Sequence, residues 1–150
     1  MNETHMVDVG DKLLTKRQAT ARGAITMLAH TAQMVQSSTL PKGNALETAR
    51  VAAIMAAKNT PAIIPLCHPL PISGASCEFK CDTQNGRITA TATVKCTGQT
   101  GVEMEALTAV SAALLTIYDM TKGVDDTLEI ESIMLLEKSG GKSGDFKREE

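Results

Sequence analysis

Lys42, His68, Glu103, Asp119, Lys122, Lys138 and Lys142 are the residues of this chain whose types and settings suit chemistry. His68 stands in Ile63-Ile-Pro-Leu-Cys-His-Pro-Leu-Pro-Ile72. With Pro61 just before, four of the chain's five prolines fall within eleven residues there. Each proline fixes its own φ and discourages helix in the residue before it, so the stretch is expected to run extended and stiff. A side chain that must be aimed gains from that stiffness, although a histidine merely hydrogen-bonded in an apolar turn would look the same.

Lys42 lies in Pro-Lys-Gly-Asn just before an expected helix N-terminus, where free amides and the helix dipole favour an anion. Lys138 and Lys142 border or lie within Ser-Gly-Gly-Lys-Ser-Gly, where bare backbone can approach phosphate oxygens. Asp119 and Lys122, three apart at a helix end, can face one another. Each has a plainer reading: Glu103 as a helix cap, Lys42 as a solvated loop lysine, Asp119 with Lys122 as a surface ion pair worth under about 1 kcal/mol. Together, three lysines and a histidine in glycine- or proline-shaped loops point to a polyphosphate-bearing substrate. Gly141-Lys-Ser143 is not the end of a P-loop, because that motif needs glycine where Leu136 stands and a helix afterwards. Glu103 and Asp119 are sixteen residues apart on one helix, about 24 Å at about 1.5 Å per residue. If both work at one small centre, the site must lie between two copies.

The elements that would position these groups follow from composition and periodicity. A chain of 150 residues makes one domain with a real core. Fifteen basic against seventeen acidic residues give no electrostatic support for general nucleic-acid binding. One Tyr, two Phe and no Trp argue against base-stacking platforms. The core must come from Ala, Val, Ile, Leu and Met, and small side chains bury little area each, so a partner subunit is expected. No apolar run approaches the roughly 20 residues of a membrane helix, and Met1-Asn-Glu-Thr-His has no signal pattern. Cytoplasm is the expected compartment. Cys67, Cys77, Cys81 and Cys96 form no CxxC pair; the last three read as small core residues.

A period of two from Thr15 to Met27 predicts a strand with one wet face, and Ala29 to Gln36 a short helix. Asn44 and Glu47 form a capping box that opens a helix with Leu46, Ala49, Ala53 (or Ile54) and Ala57 inward, ending at Asn59-Thr60-Pro61. Alternation over 75–81 and 88–96 around the turn Asp82 to Gly86 predicts a hairpin. Thr100 and Glu103 form a second capping box for a helix to about Asp119. That helix would bury Met104, Leu107, Val110, Leu114 and Ile117, with Gly123 as its C-terminal cap. Leu128 to Leu136 reads as a last strand, and a flexible glycine-rich tail is expected from about 138. Strand, helix, hairpin, helix, strand is the split βαβ order: an α+β, ferredoxin-like fold with a four-stranded antiparallel sheet and helices on one face.

Several blocks then occur in a fixed order: Met-Val-Asp-Val, Thr15-x-Arg17, Leu-Pro-Lys42-Gly-Asn, Ile-Pro-Leu-Cys-His68-Pro-Leu-Pro, Thr-Gly-Val-Glu103-Met-Glu105-Ala-Leu, Tyr-Asp119-Met-Thr-Lys122 and Glu-Lys138-Ser-Gly-Gly-Lys-Ser-Gly. In this the chain resembles the molybdenum cofactor biosynthesis protein C family, the cyclic pyranopterin monophosphate synthases, over nearly its whole length from Met6. The N-terminal segment is shorter than the family's. The resemblance implies a ferredoxin-like subunit, dimers assembled into a homohexamer, and sites at subunit interfaces. It implies a phosphorus-oxygen lyase acting on (8S)-3′,8-cyclo-7,8-dihydroguanosine 5′-triphosphate. Carried over by motif, Lys42, Asp119 and Lys122 are catalytic, while Arg17, His68, Glu103, Glu105 and Lys138 bind substrate.

Such a reaction rebuilds rings and closes a cyclic phosphate with loss of pyrophosphate, which needs proton transfer and charge neutralisation. Lys122 with Asp119 is the expected acid/base pair, a lysine buried near other cations having its pKa lowered towards neutrality. No redox cofactor is needed, Mg2+ can accompany the triphosphate, and no protein metal site is visible. Two rivals are a non-catalytic phosphate-binding regulatory module on the same fold, and a cysteine-histidine hydrolase built on Cys67 and His68. The second is poorly placed, because adjacent side chains of an extended chain point to opposite faces.

Overall fold

A computed structural model describes residues 2–149. Four strands carry the framework: β1 (Thr15–Thr26), β2 (Ile72–Asp82), β3 (Arg87–Gly98) and β4 (Glu129–Ser139), with a two-residue β5 (Phe146–Lys147) at one edge. The helices are α1 (Ala29–Ser37), α2 (Ala45–Lys58), a single turn α3 (Thr60–Ile63) and α4 (Glu103–Thr121). The order β2-β3-β1-β4-β5, antiparallel throughout, is the expected ferredoxin-like arrangement with one short strand added.

Helices α2 and α4 pack on each other and on the sheet. Beneath them lie Ala19, Ala21 and Ile25 of β1 and Ile88, Ala90, Ala92 and Val94 of β3, all buried. Alternate residues face the other way, as the pleat requires. That second face carries Thr20, whose hydroxyl pairs with Thr93 at 2.9 Å, and further threonines. The core is rich in alanine, including Ala45, Ala49, Ala53 and Ala57 of α2 and Ala106, Ala109 and Ala113 of α4. Small side chains let the helix backbones come close to the strands. Gly23 takes this furthest: a Cβ there would lie 2.8–2.9 Å from Leu114, Val110 and Ile133. Opposite it β4 bulges, with Ser132 at φ 59°.

Several expectations change in detail. Asn44 does cap α2, accepting the Glu47 amide at 3.0 Å, but the Glu47 side chain turns to Arg50 instead of completing the box. Asn59 and Pro61 do not begin an extended run. Pro61 sits in the first turn of α3, where its missing N–H costs nothing, and Ile64–Leu66 turn again before the chain straightens at 67–71. Thr100 does not cap α4; Val102 holds that position without a side-chain bond. Gly123 is not in the left-handed region, the helix closing at Lys122 in right-handed geometry. On α4 Val110, Leu114 and Ile117 are buried as expected, but Met104 is exposed and Leu107 only half-buried, while Glu105, Ala106, Ala109 and Ala113 also face inward. β4 runs on to Ser139, past the expected end at Leu136, because β5 folds back and pairs Lys138 with Phe146. Among the described residues no helix is long and apolar enough to cross a membrane.

Candidate active site

Three of the candidate residues meet at the C-terminal end of α4. The Asp119 carboxylate accepts Lys122 Nζ on Oδ1 and Lys42 Nζ on Oδ2, each at 3.1 Å. Lys42 also donates to the Asp119 backbone carbonyl at 3.2 Å. The pair Asp119–Lys122 follows from helix geometry, three residues apart. Lys42 arrives from the loop before α2, brought in by the packing of α2 on α4. Hydrogen bonds from Lys122 and Lys42, with their positive charge, hold the Asp119 carboxyl below the usual carboxylate range. Lys122 is not buried as expected: its side chain is 58 % exposed, because it closes the helix at the surface.

The opposite end of α4 gathers a second set. His68, half-buried, and Glu103 line one cavity of about 510 Å³ with Leu66 and Met104. Glu105 points the other way, into the protein, and is 1 % exposed. Its Oε2 accepts the Cys67 thiol at 3.7 Å, while Oε1 has no partner among the described residues. Burial pushes the Glu105 carboxyl up, partly offset by a backbone hydrogen bond and by Cys67. Burial, then the charge and hydrogen bond of Glu105, push the Cys67 thiol up to about 11. Cys67 thus stays protonated at neutral pH, and its other contact is the backbone carbonyl of His68, not the imidazole. A cysteine-histidine nucleophile would require the reverse on both counts.

Arg17 joins this second set. Its Nε donates to the Gly98 carbonyl at 3.0 Å, and its guanidinium lies against Gly141, where a Cβ would fall 2.0 Å from Nη1. Glycine at φ +84° is what lets the tail come so near. Arg17, Lys142 and Lys12 line a cavity of about 590 Å³ that adjoins the His68 cavity through Lys12. Lys138 sits on β4 opposite Ala19, two residues along from Arg17's place on β1. The glycine-rich tail leads into β5 and not into a helix.

The structure therefore sorts the candidate residues into two sets at opposite ends of α4, about 24 Å apart by helix rise. Lys42, Asp119 and Lys122 form one. Arg17, His68, Glu103 and Glu105 form the other, with Lys138 on β4 between Ala19 of β1 and Phe146 of β5. Sequence reasoning missed the N-terminal arm, of which His5, Val7, Val9 and Lys12 line the His68 cavity. The Met-Val-Asp-Val block, which holds Val7 and Val9, marked the arm as part of the family pattern without assigning it to the site.

Fold and site together define a ferredoxin-like α+β protein that presents clustered ammonium and guanidinium groups around glycine- and proline-shaped loops. A model of the MoaC family matches residues 6–141. The chain is 57% identical over 145 residues to the cyclic pyranopterin monophosphate synthase of Chloroflexus aggregans, covering 97% of this chain and 88% of that protein. It is 52% identical to the protein of the same name from a Thermoanaerobacter species, over 99% of each chain, and 55% identical to that of Parvibaculum lavamentivorans, over 95% and 89%. The chain belongs to the MoaC family.

Proposed function

We propose that this protein is a cyclic pyranopterin monophosphate synthase of molybdenum cofactor biosynthesis. It would convert (8S)-3′,8-cyclo-7,8-dihydroguanosine 5′-triphosphate into cyclic pyranopterin monophosphate and pyrophosphate, as a phosphorus-oxygen lyase of the cytoplasm. The observation that carries this reading is Asp119 held between Lys42 and Lys122. In the phosphate-closing step a hydroxyl oxygen bonds to the α-phosphorus and the bond from that phosphorus to the bridging oxygen breaks. Pyrophosphate leaves with the electron pair, and the hydroxyl proton passes to a base. Asp119 and Lys122 serve as the acid/base pair, and Lys42 assists at the reacting centre. Arg17, His68 and Lys138 hold phosphates, and Glu103 and Glu105 complete the binding surface. No redox cofactor enters, since the rearrangement is redox-neutral, and Mg2+ travels with the triphosphate as its counter-ion.

Because the two residue sets lie at opposite ends of α4, a working site joins the Lys42 end of one copy to the His68 end of another. Dimers assembled into a hexamer provide such junctions. The large share of alanine in the core and the uncovered sheet face support an assembly of this kind.

Incubation with the cyclic triphosphate, with assay of released pyrophosphate, tests the reading. Turnover is expected for the intact chain and none for Lys122→Ala, which should still bind substrate. Binding without any pyrophosphate release by the intact chain would leave only a phosphate-binding module.

A further inference from the structure

The cavity shared by His68 and Glu103 is not closed by the folded domain alone. One of its walls is the N-terminal arm, which contributes His5, Val7, Val9 and Lys12. The facing wall comes from the proline stretch and the start of α4, with Leu66, His68, Glu103 and Met104. The arm belongs to no strand or helix. Two contacts tie its far end to the domain, the Gln99 amide donating to the carbonyls of Lys12 at 3.3 Å and Gly10 at 3.5 Å, and within the arm Lys12 N–H donates to the Val9 carbonyl at 3.0 Å. Asp8 further fixes the turn by accepting the Gly10 amide at 2.8 Å. Upstream of that turn the arm is exposed, Val7 at 62 %. Apolar side chains so exposed beside a cavity that also has apolar facing residues are suited to covering a ligand.

The lining has two chemical characters. Val7, Val9, Leu66 and Met104 offer apolar area to the faces of a flat ring. Glu103 offers a carboxylate to ring N–H groups and His5 an imidazole, while His68 on the facing wall is left to the phosphates. Lys12 stands where this cavity meets the basic one lined by Arg17 and Lys142. A ring in the first cavity would therefore have its phosphates directed past Lys12 into the second.

We propose that the N-terminal arm is a substrate-binding element, with His5 and the valines closing over the heterocycle and Lys12 contacting the phosphate chain next to it. This inference rests on the synthase reading for the identity of the ligand, but its test does not depend on turnover. Calorimetric titration with GTP and with inorganic tripolyphosphate compares the intact chain, a chain lacking residues 2–8, His5→Ala and Lys12→Ala. The deletion and His5→Ala are expected to weaken GTP by about fivefold or more, as loss of a hydrogen bond and apolar cover would, with tripolyphosphate unchanged. Lys12→Ala should weaken both probes. Amide hydrogen exchange over residues 5–12 should slow when GTP is added to the intact chain. Unaltered GTP affinity in the deletion, equal loss of both probes in it, or no GTP binding by the intact chain overturns the proposal. Circular dichroism of each variant distinguishes these outcomes from misfolding. Failure of the synthase reading would appear separately, as absent pyrophosphate release.

Discussion

Lys42 and Asp119 are 77 positions apart in sequence, yet the ammonium of one lies 3.1 Å from Oδ2 of the other. The loop before α2 and the last turn of α4 are joined there, and Lys122 occupies the remaining carboxylate oxygen at the same distance. One carboxylate thus draws two ammonium groups to the same place on the surface.

Asp119→Asn removes the charge that both ammonium groups face. Because proton-transfer groups contribute roughly 10²–10⁴-fold, turnover should fall by about that range. Thermal stability should scarcely move, since all three side chains are more than half exposed and exposed pairs contribute little. The depressed Asp119 carboxyl stays ionised through the neutral range, and its small stabilising effect is lost only as pH falls below the ordinary carboxylate value. Pyrophosphate release and a melting curve, measured on the same preparation, check both halves.

Cys67 offers a sharp contrast between sequence neighbours. With its thiol raised to about 11, alkylation by iodoacetamide should be slow at pH 7 and accelerate only towards pH 11. Cys67→Ser should retain most turnover. Complete loss of activity in that variant, with the fold intact, would restore the nucleophilic-cysteine reading.

Gly141→Ala tests the approach of the tail to Arg17. A methyl group there would meet Nη1 at 2.0 Å and would also strain a backbone at φ +84°. The guanidinium must move or the tail must lift, so KM for the cyclic triphosphate should rise about tenfold or more, as expected when a charged hydrogen bond is lost. Arg17→Ala should reproduce the rise, and the double variant should add little beyond it.

Asp125, 5 % exposed, ties the β1–α1 junction to the segment between α4 and β4. It accepts the Leu28 amide at 3.0 Å and, from Thr127, the amide at 2.7 Å and the hydroxyl at 2.6 Å. Burial would raise its pKa, but these bonds, with one from Thr31, outweigh it and hold the carboxyl at about 2. A folded value below the unfolded one, about 3.9, gives stability that is full above pH 4 and is lost as pH falls towards 2. Asp125→Ala leaves buried donors unpaired and should cost about 2 kcal/mol in urea unfolding, with Asp125→Asn costing less.

The sequence by itself determined the strands, the two long helices and the order that joins them, because apolar periods of two and 3.6 residues are local properties. It also determined that Asp119 and Lys122 meet, since three residues along a helix always do. The family blocks marked Arg17, Lys42, His68, Glu103, Glu105 and Lys138 as a group without showing how they stand to one another. Tertiary structure alone decided that Lys42 joins Asp119, that Glu105 turns inward to Cys67, that Arg17 rests on Gly141, and that the N-terminal arm lines the His68 cavity. Those contacts join segments far apart in the chain, and they depend on which faces α2, α4 and the sheet present once packed. Small residues permit that packing: Gly23 of β1 leaves room for Leu114 and Val110 of α4, and Ala106, Ala109 and Ala113 are buried beside them, whereas Met104 and Leu107 stay partly outside.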